Sequence, residues 1–199
     1  MRKELKIISL SEIKTEEVKW LWYPYIPFGK VTIVQGDPGE GKTTFVLSVI
    51  AALTHGETLP ECETGLPPMN VIYQTAEDGL ADTIKPRLEA AGADCSRVQT
   101  IDDSQSMLTL TDQRLEEAIH STDAGLLVLY PLQAYLGSGV DMHRANEIRP
   151  IMKKLSAVAE RTGCAVVLIG HMNGLTRSSP YGRRLMRFPA QVSSGASFV

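Results

Sequence analysis

The sequence predicts an α/β fold in which a mostly parallel sheet is covered by helices on both faces. Short apolar segments alternate along the chain with longer segments of helical spacing, and continuous apolar strands are typical of parallel sheets buried on both sides. One such strand, 30–35, runs into a glycine-rich loop and then an apolar helix, which is the context of a phosphate-binding loop. We therefore expect a three-layer α/β/α P-loop nucleotide-binding fold.

The glycine-rich loop has a glycine, four free positions and then Gly-Lys-Thr. Its residues are Gly36, Asp37, Pro38, Gly39, Glu40, Gly41, Lys42, Thr43 and Thr44. Glycines let the backbone pass close to a phosphate, and the positive end of the following helix also faces the anion. We expect Lys42 to reach the β- and γ-phosphates and the Thr43 hydroxyl to hold a Mg²⁺ ion that bridges them. The loop predicts an ATP or GTP site.

The other elements follow from apolar runs and turn residues. Strands are predicted at 70–75, 97–101, 125–130 and 164–170, and helices at 45–53, 80–91, 111–120 and 144–162. Pro86 should kink or restart the second helix. Ligands of such sheets bind beyond the carboxyl ends of the strands. We therefore expect Gly36, Glu77, Tyr130 and His171 to converge on one crevice.

Composition indicates an ordinary globular chain. With 199 residues, 43% of them hydrophobic, the chain can bury the core of one domain. Its net charge of −3 argues against general polyanion binding by the whole surface, but is compatible with a local basic groove. Three cysteines without metal-binding spacing are typical of a reducing cytoplasm, which is the expected location. No apolar run approaches the roughly twenty residues that cross a bilayer, so no membrane partner is expected.

Residues 20–27 contain both tryptophans of the chain. Such a cluster can stack on a base, fill a neighbouring subunit or form a hydrophobic cover over the end of the sheet, and we favour the cover. The predicted organisation is an N-terminal arm with this aromatic lead-in (1–29), an ATPase core (30–173) and an irregular basic tail (174–199).

Several motifs occur in an order that is more specific than the loop alone. They are the lead-in 20–30, the loop 36–44, Ala76-Glu77-Asp78-Gly79, the segment 131–135 and the segment 168–173. In these motifs the chain resembles the RecA-like ATPases of the hexameric-helicase kind, within them the plasmid-replication helicases of the RepA type. The resemblance covers about residues 15–173. It implies a RecA-like core that couples ATP binding and hydrolysis to DNA, with single-stranded DNA as a partner and a homo-hexamer in full-length relatives.

The resemblance also implies roles for individual residues. Glu77 matches the glutamate that activates the attacking water, and a carboxylate at the end of a strand can do this. His171 matches a sensor that contacts the γ-phosphate and relays the nucleotide state toward DNA-binding loops. Together with Lys42 they are the predicted catalytic residues. The structural alternatives stay open: Glu77 as a solvated loop acid, and His171 as a structural histidine.

Two features depart from the family pattern. The family carries an aspartate that holds the Mg²⁺ shell at the end of strand 125–130, where this chain has Tyr130. A phenol with a reference pKa of about 10 is neutral at pH 7 and is a poor substitute, although Asp78 or Asp102 could compensate. The second departure is segment 174–199, which contains four arginines and no acidic residue. It reads as a truncated ending or as a basic arm for nucleic acid.

Two functions therefore stay open at this point: an ATP-dependent DNA motor subunit, and a nucleotide-binding module that hydrolyses poorly, either regulatory or truncated. A small-molecule kinase is disfavoured because a lid of clustered arginines is absent. In the family a further strand pairs beside strand 30–35. If that strand is missing, 30–35 becomes an exposed edge, so we expect lower stability than in a full-length relative, or dependence on a partner.

Overall fold

The computed structural model describes residues 7–140 and 144–171. In this part of the chain the strands are β1 (Trp20–Trp22), β2 (Ile26–Pro27), β3 (Val31–Gly36), β4 (Asn70–Thr75), β5 (Val98–Gln99), β6 (Ala124–Tyr130) and β7 (Ala165–His171). The helices are α1 (Lys42–His55), α2 (Lys85–Ala90), α3 (Arg114–Thr122) and α4 (Ala145–Thr162), with a π-helical turn at Leu80–Ile84 and 3₁₀ turns at Leu10–Glu12, Cys95–Arg97 and Leu132–Tyr135. Among these elements, β1 and β2 form an antiparallel hairpin, and the other five strands form a parallel sheet in the order β3–β7–β6–β4–β5.

The sheet separates two hydrophobic clusters, as expected for three layers. On one face α1, α2 and the β1–β2 hairpin pack on the sheet, with Ile50 of α1 completely buried. On the other face α3 and α4 do so, with Leu155 of α4 completely buried. The central strands β6 and β7 are apolar and buried on both faces, and this explains why they read as continuous apolar runs. The predicted architecture is therefore observed.

The third predicted strand was too long. Instead of 97–101, only Val98–Gln99 pairs with β4, and Arg97 belongs to a 3₁₀ turn in which the Ser96 N–H donates to the Asp94 carboxylate. The Ile101 N–H donates to the buried side chain of Gln74, at 2.9 Å, rather than to a neighbouring strand. Backbone pairing between the two strands stops here because the side chain of Gln74, a polar residue inside β4, supplies an alternative acceptor for the Ile101 N–H.

Helix boundaries follow local chemistry. Gly56 adopts φ 72°, the left-handed conformation that ends α1 after His55, two residues beyond the predicted end at residue 53. The second helix is interrupted as Pro86 predicts: the π-helical turn gives way to α2, with the proline in its first turn. The third helix begins later than predicted, at Arg114, whose N–H donates to the Asp112 carboxylate at 2.9 Å.

The aromatic lead-in packs into the core. Trp22 is 5% exposed; its indole N–H donates to the Pro60 carbonyl at 2.8 Å, and its ring lies 5.5 Å from that of Phe45 in α1. Trp20 is half-buried and meets the exposed Tyr23 edge-on. These contacts support the hydrophobic-cover interpretation for Trp22.

One side of β3 pairs with β7, and among the described residues no other strand of the sheet pairs with β3. The predicted lower stability stays a prediction, as do the domain limits, because the tail 174–199 lies outside the described residues. None of the helices in the described ranges combines the length and apolar character needed to cross a bilayer.

Candidate functional site

Adjacent strands bring most of the predicted site together at their carboxyl ends. Gly36 at the end of β3 is in register with His171 at the end of β7. On the other side of β7, Tyr130 ends β6 and is in register with Thr75, two residues before Glu77. The backbone of His171 thus lies beside the loop, while its side chain falls outside the described residues, and its sensor role stays a prediction.

The phosphate loop has the backbone conformation that its glycines allow. Gly39 and Gly41 have φ values of 82° and 78°, a region that other residues rarely adopt. Gly41 also caps α1, which begins at Lys42, so the free N–H groups of the first helical turn face the loop. Pro38, Gly39 and Glu40 are exposed, whereas Lys42 and Thr43 are half-buried. This arrangement suits an anion that approaches from solvent.

Lys42 bends back into the loop. Its ammonium group donates to the carbonyl oxygens of Gly36, at 3.0 Å, and Asp37, at 2.8 Å. The Asp37 N–H donates in turn to the Glu40 carboxylate at 2.8 Å. The carbonyl groups of the loop thus hold the Lys42 ammonium group in place, and a positively charged donor of this kind is what a phosphate requires.

Tyr130 connects the loop to the predicted base. Its side chain lies between Thr43 and Glu77, and the residue is only 9% exposed. Burial raises the pKa of the Tyr130 phenol; the hydrogen bond to Glu77 and the charge of Glu77 raise it further, and the hydrogen bond with Thr43 opposes the rise. The neutral phenol of Tyr130 therefore lies close to both the Glu77 carboxylate and the Thr43 hydroxyl.

The turn that carries Glu77 is fixed by backbone hydrogen bonds. The Thr75 hydroxyl accepts from the N–H groups of Glu77 and Asp78, at 3.3 Å each, and the Ala76 N–H donates to the Tyr130 carbonyl at 3.0 Å. Glu77 is exposed and Asp78 is half-buried. This turn therefore presents two carboxylates beside the phenol.

The two acids considered as replacements for a metal-binding aspartate lie in different surroundings. The charge of Asp78 raises the pKa of Tyr130, so the Asp78 carboxylate lies close to the Tyr130 phenol. The Asp102 carboxylate instead accepts from Ser104, which lowers its pKa, in the loop after the outermost strand β5. Of the two, Asp78 has the better placement. Within residues 7–140 and 144–171, no three His, Cys, Asp or Glu side chains form a group that could hold a metal ion.

Two residues of the site region were not singled out from the sequence. The Thr75 hydroxyl accepts from two amides of the turn that carries Glu77. Gln74, 2% exposed, joins β4 to the loop after β5 by accepting from Thr100 and Ile101. A polar residue within an apolar strand is a signal that could have identified Gln74. The hydroxyl of Thr75 has no comparable signal in one sequence.

Comparisons with known proteins agree with this geometry. A family model described as an AAA domain matches residues 1–175. The DNA repair protein RadA of Halalkalibacterium halodurans is 24% identical over 147 residues, which cover 72% of this chain and 28% of that protein. The chain thus spans little more than a quarter of that relative's length.

A KaiC-like protein from Pyrococcus horikoshii OT3, with known crystal structure, is similar with a TM-score of 0.54 and 18% identity, over 83% of this chain and 76% of that chain. With the parallel sheet, this likeness confirms the predicted RecA-like P-loop fold.

Proposed function

Because the chain belongs to the AAA-domain family, whose model matches residues 1–175, we propose that it binds ATP with Mg²⁺ in the loop 36–44. The observation that carries the proposal is the phosphate loop itself. Lys42 is held inside a turn with two left-handed glycines, at the N-terminus of a helix that follows a buried parallel strand. Backbone amides, a helix N-terminus and an ammonium group together fit the phosphates of a nucleotide.

The residues fit Mg²⁺ less completely than they fit phosphate. The Thr43 hydroxyl would contact the ion, which when bound neutralises the charge of the β- and γ-phosphates. The neighbouring position, an aspartate in the helicase family, is a neutral phenol here. The Tyr130 side chain lies beside the Thr43 hydroxyl, but it supplies no negative charge. We therefore propose that Mg²⁺ is held weakly and chiefly through the nucleotide.

The same phenol also bears on hydrolysis. Glu77 is proposed as the group that takes a proton from the attacking water, for which its carboxylate must accept a hydrogen bond from that water. In this structure the carboxylate lies beside the Tyr130 phenol. This contact favours the second candidate function, a nucleotide-binding core that hydrolyses ATP slowly. An ATPase-related core with slow turnover is consistent with an intact phosphate loop and an altered residue, Tyr130, at the end of β6.

Coupling to DNA is proposed from similarity. The sequence motifs resemble those of replicative helicases, and one relative is named a DNA repair protein. We propose single-stranded DNA as the partner, and a ring of identical subunits as the assembly in which the core works. His171, whose backbone lies beside the loop, is proposed as the link between nucleotide and DNA.

The deciding experiment measures ATP binding and ATP turnover side by side, with and without single-stranded DNA, for the original chain and Tyr130→Asp. We expect both to bind ATP and only Tyr130→Asp to turn it over appreciably, by at least about a hundredfold more, the lower range for a positioned catalytic group. Tyr23→Asp, the same change at an exposed tyrosine, should behave as the original chain. If the original chain already hydrolyses ATP and DNA accelerates it, the chain is a working motor and the account of Tyr130 is wrong.

A further inference from the structure

A carboxylate lies where the loop is expected to receive phosphate. Glu40 is the fourth free position of the loop, between Gly39 and Gly41, both of which have left-handed backbone conformations. These two conformations fold the intervening residue back toward the start of the loop. The Glu40 carboxylate accepts from the Asp37 N–H at 2.8 Å, and a Cβ built on Gly36 would collide with one of its oxygens.

From this geometry we infer that Glu40 is an internal competitor of the nucleotide phosphates, a residue that sets how tightly the loop binds ATP and how far it prefers ADP. The inference rests on the proposed function, because it concerns the same loop. Its basis is the position of the carboxylate, which shares the space above Gly36 with the Lys42 side chain: the same Cβ would lie 3.5 Å from the Lys42 Cδ. The negative group and the phosphate-binding lysine therefore occupy one small volume.

Two physical effects follow from this position. The carboxylate occupies a backbone donor of the loop, so a phosphate that needs this donor has to displace it. Its charge also repels phosphates, and the repulsion grows with the number of phosphate charges, so ATP is disfavoured more than ADP. Glu40 is exposed, and solvent therefore limits the repulsion.

The two effects can be separated with two substitutions. Glu40→Gln removes the charge but keeps an oxygen that can accept from Asp37, whereas Glu40→Ala removes both. If charge is the dominant effect, both variants bind ATP about fivefold more tightly than the original chain, and the gain for ADP is smaller. The matched control is Glu63→Gln, the same change at an exposed glutamate in the loop that follows α1.

The measurement is calorimetric titration of each folded variant with Mg-ATP and Mg-ADP at 0.1 M and 1 M salt. We expect Glu40→Gln to improve ATP affinity at 0.1 M salt, and the gain to shrink at 1 M, where the screening length falls from about 10 Å to about 3 Å. A role in folding alone would not produce a gain that depends on salt and on phosphate number. Thermal unfolding of each variant confirms that the chains compared are folded.

Each other outcome is decisive. Equal ATP affinity in the original chain and in both Glu40 variants overturns the inference while leaving ATP binding in place. Weaker binding by Glu40→Ala also overturns it, since Glu40 would then stabilise the binding conformation of the loop. If neither the original chain nor any variant binds nucleotide, the proposed function itself fails. Binding by the Glu40 variants but not by the original chain supports the inference in its strongest form.

Discussion

The phosphate loop and the end of β6 meet at Thr43, yet they use different chemistry. The loop acts largely through its backbone: left-handed glycines, the first amides of α1 and the carbonyl groups that hold Lys42. The end of β6 instead contributes one side chain, the neutral phenol of Tyr130. A change at one residue can therefore alter the chemistry at the end of β6, whereas the chemistry of the phosphate loop depends on the conformation of several residues together.

This difference shows how binding and turnover can separate in one site. In the proposed function, phosphate affinity depends on donors, which the loop has, whereas water activation and metal binding depend on carboxylates near β6. Tyr130 lies beside Thr43 but is a neutral phenol. We therefore expect changes in the loop to act on affinity and changes around β6 to act on turnover and stability.

The largest effect is expected for Lys42→Ala. Loss of the ammonium removes a charge-assisted contact to phosphate, worth about 3 kcal/mol or a hundredfold in affinity. Calorimetric titration with Mg-ATP measures it. Lys85→Ala is the control: Lys85 is exposed and pairs with Glu89 on the surface of α2, at 3.8 Å, so its removal should leave ATP affinity unchanged. Unchanged affinity in Lys42→Ala would show that nucleotide does not bind in this loop.

How far the sequence anticipates the structure differs between the same two regions. The loop could be read in detail because its spacing, its strand and its helix are all local features of the chain. The parallel sheet could be read because β6 and β7 are buried on both faces and hence continuously apolar. The short β5 could not, because its length depends on Gln74, a residue distant in sequence that binds Ile101.

The end of β6 illustrates the remaining limit. The sequence identified Tyr130 as a departure from the family, but only the structure shows that the phenol bridges Thr43 and Glu77. Such a bridge joins three elements, so no local pattern encodes it. Glu40 is similar: its sequence position is part of the loop, whereas the folding back of its carboxylate depends on backbone angles at both neighbouring glycines.

An intermediate effect is expected for Tyr130→Phe, which removes the phenol but keeps the ring. Loss of its hydrogen bonds should lower the free energy of unfolding by about 1 kcal/mol at pH 7. The pKa of Tyr130 is raised in the folded chain, so its contribution to stability is complete below the ordinary tyrosine pKa of about 10 and is lost as pH rises through the folded value. The parent should therefore lose stability above pH 10 more steeply than Tyr130→Phe.

Denaturant unfolding at pH 7 and at several pH values above 9 measures both parts of this prediction. Tyr73 and Tyr135, whose pKa values are also raised by burial, remain in the variant, so some alkaline loss should persist. Tyr23→Phe reports the effect of removing an exposed phenol. Identical pH profiles for the parent and Tyr130→Phe would show that the phenol is not held in its neutral form by folding.

The smallest effect is expected for Thr75→Val in the Tyr130→Asp background. Valine has nearly the same shape but cannot accept from the N–H groups of Glu77 and Asp78, so the turn should loosen. Both bonds are long, at 3.3 Å, and their loss should lower ATP turnover only about threefold, as expected for one weak hydrogen bond. Thr75→Ser retains the hydroxyl and should retain turnover.

ATP affinity should stay unchanged, because Thr75 binds the turn that carries Glu77 and Asp78 and not the phosphate loop. If affinity falls together with turnover, the turn also shapes the loop through Tyr130, and the two regions form one unit rather than two separable ones.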